Sequence, residues 1–244
     1  MSKTISKEVE YFYDSARLVG YFCADESAAT PRPGVVIVHD ACGVSEHMKR
    51  TAESLADLGF AVLAADVWGD GQQLRDESAV GPMIGRFASD RKTWMGRLEA
   101  AKQALVAESE VEPSKIAMVG YCFGGASALE YARTVGGVAG VVSVHGGLEL
   151  VGGDWTTAPP NGKALILTGF EDPMAKSSVL LDLENNMTRA GVDWQVNTYG
   201  HTKHGFTRPD SDRANKPQVI AYNEQSAKRS WAAMRGFLHE IFAL

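Results

Sequence analysis

A mostly parallel β-sheet covered on both faces by helices, and opened by an antiparallel hairpin, is the α/β fold class that this sequence predicts. Three observations predict it. Six apolar runs recur from Gly34 onward, helix-like segments fill the gaps between them, and two β-rich runs with a short polar turn precede the first gap. The chain has 244 residues, 45% of them hydrophobic, enough to bury a large core as a single domain over residues 1–244. Two smaller domains are the alternative that length alone leaves open.

The elements follow in order. Ile5 to Tyr13 and Leu18 to Cys23 flank Asp14 and Ser15, the pattern of a hairpin at a sheet edge. The interior strands are GVVIVH (Gly34 to His39), FAVLAAD (Phe60 to Asp66), KIAMVG (Lys115 to Gly120), VAGVVSVH (Val138 to His145), KALILTG (Lys163 to Gly169) and WQVNTY (Trp194 to Tyr199). Near-continuous Val, Ile, Leu and Ala mark strands buried on both faces. From Ser45 to Leu58 the residues Met48, Ala52, Leu55, Ala56 and Leu58 share one helical face, with Ser45 as a cap and Gly59 as a stop. Helices are expected also over Trp94 to Glu108, Gly125 to Arg133, Ser177 to Ala190 and Gln218 to Phe242. The stretch Val67 to Gly81 lacks helical periodicity and reads as a long loop, functional or flexible. Trp68, Phe87 and Trp94 read as core aromatics or as a pocket wall.

Composition narrows the function. The 24 basic and 30 acidic residues give a net charge of −6 with no basic stripe, which argues against nucleic acid as a partner. The N-terminus MSKTISKEVEYFYD has no apolar signal region, and no segment approaches the roughly 18 apolar residues of a membrane span. The expected location is the cytoplasm, with no membrane partner. Cys23, Cys42 and Cys122 form no CxxC pair, which suits a reducing compartment and offers no zinc site.

The chemistry concentrates at GYCFGG, Gly120 to Gly125. A strand runs straight into Cys122 and then into a helix, with Gly120 and Gly124 on either side. That spacing is a nucleophile elbow in which cysteine stands where serine is usual. The glycines permit the tight turn, and the helix N-terminus favours a thiolate over a thiol. In such an elbow an acid and then a histidine follow in chain order at later strand ends. Asp172 in FEDP and His204 in GHTKHGF occupy those places. Glu171 rivals Asp172, which is preferred because a short carboxylate fits the turn before Pro173. His201 rivals His204, which is preferred because Gly205 leaves room beside its ring. His204 would accept the thiol proton while Asp172 orients the ring. The His201 and His204 pair lacks a third metal ligand, and acyl transfer needs neither metal nor organic cofactor. His39, Cys42 and His47 carry no expected catalytic role.

Together, VVIVHDACGV, GYCFGG, EDP and HGFTRP resemble the dienelactone hydrolase family of α/β-hydrolases over about Gly34 to Arg208. The resemblance implies an α/β-hydrolase fold and a Cys122, His204, Asp172 triad. It also implies an oxyanion hole made by the backbone N–H groups of Phe123 and Ala41. Family members place a glutamate where this chain has Asp40, one methylene shorter. They hold a substrate carboxylate with two arginines, and Arg208 matches one of them. The expected activity is hydrolysis of a small ester or lactone through a cysteine thioester. The alternatives are a carboxylesterase or thioesterase for neutral substrates, or a ligand-binding relative without turnover. Oligomeric state and natural substrate are open at this stage.

Overall fold

The strands are β1 (Thr4–Tyr13), β2 (Ala16–Asp25), β3 (Arg32–Val38), β4 (Ala61–Ala65), β5 (Val111–Tyr121), β6 (Gly140–Val144), β7 (Lys163–Gly169) and β8 (Asp193–Tyr199). The helices are α1 (Glu46–Ala56), α2 (Glu77–Ser89), α3 (Arg91–Val106), α4 (Phe123–Thr134), α5 (Ser177–Arg189) and α6 (Glu224–Phe242). This computed structural model describes residues 4–26, 31–159, 162–211 and 216–244. The strand order is β1-β2-β4-β3-β5-β6-β7-β8, an eight-stranded and mostly parallel sheet with an antiparallel N-terminal hairpin. Two compact units, residues 1–118 and 119–244, divide within β5.

In the first unit, β1 and β2 pair from Thr4 opposite Asp25 to Tyr13 opposite Ala16. Asp14 takes a φ of 49° in the turn, a conformation that Asp tolerates better than most residues. Strands β3 and β4 are parallel and wholly buried, as their uninterrupted apolar runs require. Helix α1 buries Met48, Thr51, Ala52, Leu55 and Ala56 along one stripe, and Gly59 follows at a φ of 95°. The expected Ser45 cap fails, because its Oγ makes no hydrogen bond and is buried without a partner.

The stretch Val67 to Gly81 is not a long loop. It is a short bound turn followed by α2, which begins at Glu77 behind an Asp76 cap that accepts from Ser78 N–H. Gly81, Pro82 and Gly85 weaken the apolar periodicity of this helix, which is why the pattern hides it. The turn before it is organised by Asp66. One carboxylate accepts from the N–H groups of Val19 at 3.0 Å, Gly69 at 2.8 Å and Gly71 at 2.8 Å. Arg97 on α3 then donates to the carbonyls of Val67 at 2.6 Å and Trp68 at 2.8 Å. Its guanidinium lies 5.1 Å from the Phe87 ring centroid. Trp68, Phe87 and Trp94 are all buried. Burial of side chains of this size contributes about 1.5–3 kcal/mol each.

In the second unit, β6, β7 and β8 run parallel in register, with Val141 opposite Ala164 and Lys163 opposite Asp193. Strands β6 and β7 are buried almost throughout, whereas β8 alternates between exposed and covered positions, as an edge strand does. Helix α4 is buried from Phe123 through Tyr131, so its small residues Gly124, Gly125, Ala126 and Ala128 sit against neighbours on every side. Helix α6 starts at Glu224, six residues later than the periodicity from Gln218 suggests. Asn223 caps it by accepting from Ser226 N–H at 3.0 Å. The preceding residues serve instead as a support for His204, described next.

Candidate active site

Cys122 closes β5 and is the N-cap of α4, with φ 54° and ψ −115°. A residue bearing a Cβ adopts this conformation only when its surroundings impose it. Here they do. Cys122 N–H donates to the Val144 carbonyl at 3.0 Å, and its own carbonyl accepts from Gly125 at 3.0 Å, Ala126 at 3.3 Å and Gly147 at 3.3 Å. A Cβ on Gly120 would run into the backbone of Gly124, so the elbow needs glycine there. The thiol is partly exposed at the head of a helix whose axis directs positive potential toward it.

The loop after β7 supplies Asp172, with its side chain fully buried. Its Oδ1 accepts from Met174 N–H at 2.8 Å, which fixes the carboxylate in the turn. Phe170 N–H donates to the Tyr199 carbonyl at 2.9 Å and Glu171 N–H to the Thr202 carbonyl at 2.9 Å. These bonds join the acid loop to the loop after β8, which carries His204. His204 is pinned through its backbone: its N–H donates to the Val219 carbonyl at 3.1 Å, and its carbonyl accepts from Ala221 at 3.2 Å.

The three side chains form a relay. His204 Nε2 lies 3.0 Å from Cys122 Sγ, and Nδ1 lies 2.8 Å from Asp172 Oδ2. A carboxylate only accepts, so Nδ1 carries a proton that it donates to Asp172. Burial opposes charge on His204, but the Cys122 sulfur and the Asp172 hydrogen bond outweigh it and raise its pKa from 6.5 to about 10. An imidazole held this way can exchange a proton with sulfur at one nitrogen while its other nitrogen stays fixed.

The rival residues pair with each other instead. His201 Nδ1 lies 3.4 Å from Glu171 Oε1, with the histidine side chain 98% exposed. Among the described residues no three His, Cys, Asp or Glu side chains gather to hold a metal ion. No described helix is long and apolar enough to cross a membrane.

The other predicted residues have their own settings. Phe123 is the first residue of α4, and its ring is buried. Arg208 is engaged by Asp210, with Nε at 3.2 Å and Nη2 at 3.3 Å from the two carboxylate oxygens. Asp40 and Ala41 belong to the first unit, in the turn after β3. Asp40 is buried and its Oδ1 accepts from Cys42 N–H at 2.8 Å. The Ala41 carbonyl accepts from Trp68 Nε1 at 3.2 Å. Beside them His39 accepts from Val67 N–H through Nε2 at 3.1 Å, so Nδ1–H donates to the Asp40 carbonyl at 2.6 Å. Burial holds that ring below its ordinary pKa, and it acts as a neutral brace.

One residue near these three side chains escaped the sequence reading. His145 reads there as the tail of a strand. The available signal was a histidine before Gly146 and Gly147, at the carboxyl end of a parallel strand, where ligand-facing groups collect.

A model of the dienelactone hydrolase family matches residues 18–242. The chain is similar to a crystal structure described as a dienelactone hydrolase-like promiscuous phosphotriesterase from metagenomic libraries. It shares 36% identity and a TM-score of 0.92, over 98% of each chain. It is similar also to the protein m3DLH, at 33% identity and a TM-score of 0.90 over 98% of each chain. An uncharacterized protein of Caenorhabditis elegans is 30% identical over 148 residues, covering 60% of this chain and 93% of the relative.

Proposed function

Because this chain belongs to the dienelactone hydrolase family, a family of hydrolases, we propose that it opens a small ester or lactone through a thioester on Cys122. The observation that carries this reading is the relay from Cys122 Sγ through His204 to Asp172, at 3.0 and 2.8 Å. The thiol proton is held on His204 Nε2 when the sulfur attacks the carbonyl carbon. The carbonyl electrons move onto oxygen, where the Phe123 N–H at the head of α4 is the proposed donor. The C–O bond then breaks, and His204 returns the proton to the departing alkoxide. A water molecule next attacks the thioester as His204 takes one of its protons. The C–S bond breaks, the acid leaves, and the thiol is restored. Asp172 remains ionised throughout and keeps Nδ1 protonated.

A second reading concerns substrate charge. Asp210 accepts from Nε and Nη2 along one edge of the Arg208 guanidinium, which favours neutral esters over substrates that carry a carboxylate. The relative described as a phosphotriesterase adds neutral phosphotriesters to the candidates, since a thiolate can attack phosphorus as well as carbon.

The deciding experiment measures hydrolysis of a dienelactone, a neutral aryl ester and a neutral phosphotriester by wild type and Cys122→Ala. Turnover of the lactone that vanishes in the variant supports the full proposal. Turnover of the neutral substrates alone keeps the thioester chemistry and discards the anion site. Activity that survives Cys122→Ala overturns the mechanism, and tight binding without product release supports a ligand-binding role.

A further inference from the structure

We propose that His145 is a positioning residue, holding the histidine of the triad in line with the thiol while the two are separated during turnover. The inference rests on the triad reading of Cys122, His204 and Asp172. His145 directly follows β6, is buried, and has a φ of 39°. A non-glycine residue in that region marks a place where surrounding structure overrides local preference.

What overrides it can be named. On its backbone side His145 is fixed to β7, its own N–H donating to the Leu167 carbonyl at 2.8 Å, and its neighbours are fixed to the elbow. The carbonyl just before it, on Val144, accepts from Cys122 N–H at 3.0 Å, and Gly147 N–H just after it donates to the Cys122 carbonyl at 3.3 Å. On its side-chain side it reaches the loop that carries the base. Its ring centroid lies 5.2 Å from that of His204 at an interplanar angle of 65°, and 5.3 Å from Phe206 at 79°. Its Nε2 lies 2.9 Å from Thr207 Oγ1. Tyr121 packs on it as well, at 5.8 Å. The segment from Val144 to Gly147, with His145 in it, therefore joins the backbone of the nucleophile to the ring and loop of the base.

The need for such a tie arises within the reaction. Once sulfur is acylated, His204 Nε2 no longer has a thiol to face. The remaining hydrogen bond from Nδ1 to Asp172 anchors one end of the ring but leaves rotation about that bond open. An edge-on ring at 5.2 Å limits that rotation. The effect belongs to the chemical steps and not to substrate capture.

The experiment measures kcat and KM for ester hydrolysis by wild type, His145→Ala, Thr207→Val and the double variant, with thermal denaturation to confirm folding. Misplacing a general base by about an ångström costs about 100-fold, so His145→Ala should lose about that factor in kcat with KM changed less than about twofold. Thr207→Val removes one hydrogen bond and should cost about fivefold. Because both act through one tie, the double variant should fall no further than about twofold below His145→Ala. The proposal is overturned by a His145→Ala kcat within about threefold of wild type, by a loss carried in KM, or by single effects that multiply in the double variant. Asn accepts the left-handed backbone readily, so His145→Asn is read by the same criteria if the alanine variant does not fold. Survival of activity in Cys122→Ala would defeat the triad reading itself. An inactive Cys122→Ala beside a normal His145→Ala would defeat only the positioning role.

Discussion

Replacing Asp172 with asparagine keeps the shape of the acid loop and removes its charge, which isolates what the carboxylate does. The pKa of His204 rises from 6.5 to about 10. At about 1.4 kcal/mol per unit the net rise is worth roughly 5 kcal/mol after the burial cost is met. A hydrogen bond to a charged group is worth about 1.5–3 kcal/mol, so loss of the carboxylate costs about 10- to 150-fold in every step that leaves the ring charged. A second penalty follows from hydrogen-bond chemistry. An amide turned with its NH2 toward Nδ1 drives the ring proton to Nε2, the nitrogen that must accept from sulfur. The two penalties together predict that Asp172→Asn lowers kcat by about 10³ to 10⁴, the scale seen when a triad acid is neutralised. The assay is steady-state hydrolysis of an aryl ester, with Glu171→Gln as control. Glu171 is 44% exposed and engages only a surface histidine at 3.4 Å, so its variant should stay within about twofold of wild type. A folded Asp172→Asn protein that keeps more than about a tenth of wild-type kcat, or a crippled Glu171→Gln, would refute this assignment of the acid.

Two further outcomes follow from the same site. Gly120→Ala pushes a methyl group into the Gly124 backbone, an overpacking that should cost about 3 kcal/mol or more and lower Tm by roughly 6–12 °C. Thermal denaturation checks it, and an unchanged Tm would mean that the elbow relaxes freely. The charge on His204 also links stability to pH. Its folded-state pKa of about 10 lies above its ordinary 6.5, so its stabilisation is complete below about pH 6.5 and is lost as the pH rises through about 10. The Tm advantage of wild type over His204→Asn should therefore shrink across that interval, and an advantage that grows with pH would contradict the charged pairing.

The sheet was legible because buried parallel strands such as KALILTG carry an unmistakable apolar run, and β7 begins and ends at the residues expected. The elbow was legible because its turn admits few side chains. What lay hidden depends on partners distant in sequence. Helix α2 hides behind its own Gly and Pro residues and is stabilised from outside, where Arg97 meets Phe87. The turn before it looks like a slack loop until one carboxylate, Asp66, is seen to gather three N–H groups. Arg208 reads as a cation, and the carboxylate that engages it stands two positions away, at Asp210. The choice of Asp172 over Glu171 rested on turn chemistry, and the Oδ1 bond to Met174 N–H is that chemistry.

The spacing of the relay along the chain also bears on how the protein is made. Cys122 and His204 are 82 positions apart, and a ribosome releases the thiol first. At about 5–20 residues per second, roughly 4–16 s of synthesis separate the two. During that interval the nascent cysteine lacks the imidazole that faces it in the folded chain. Only when the β8 strand and the loop beyond it have emerged can Cys122 and His204 meet.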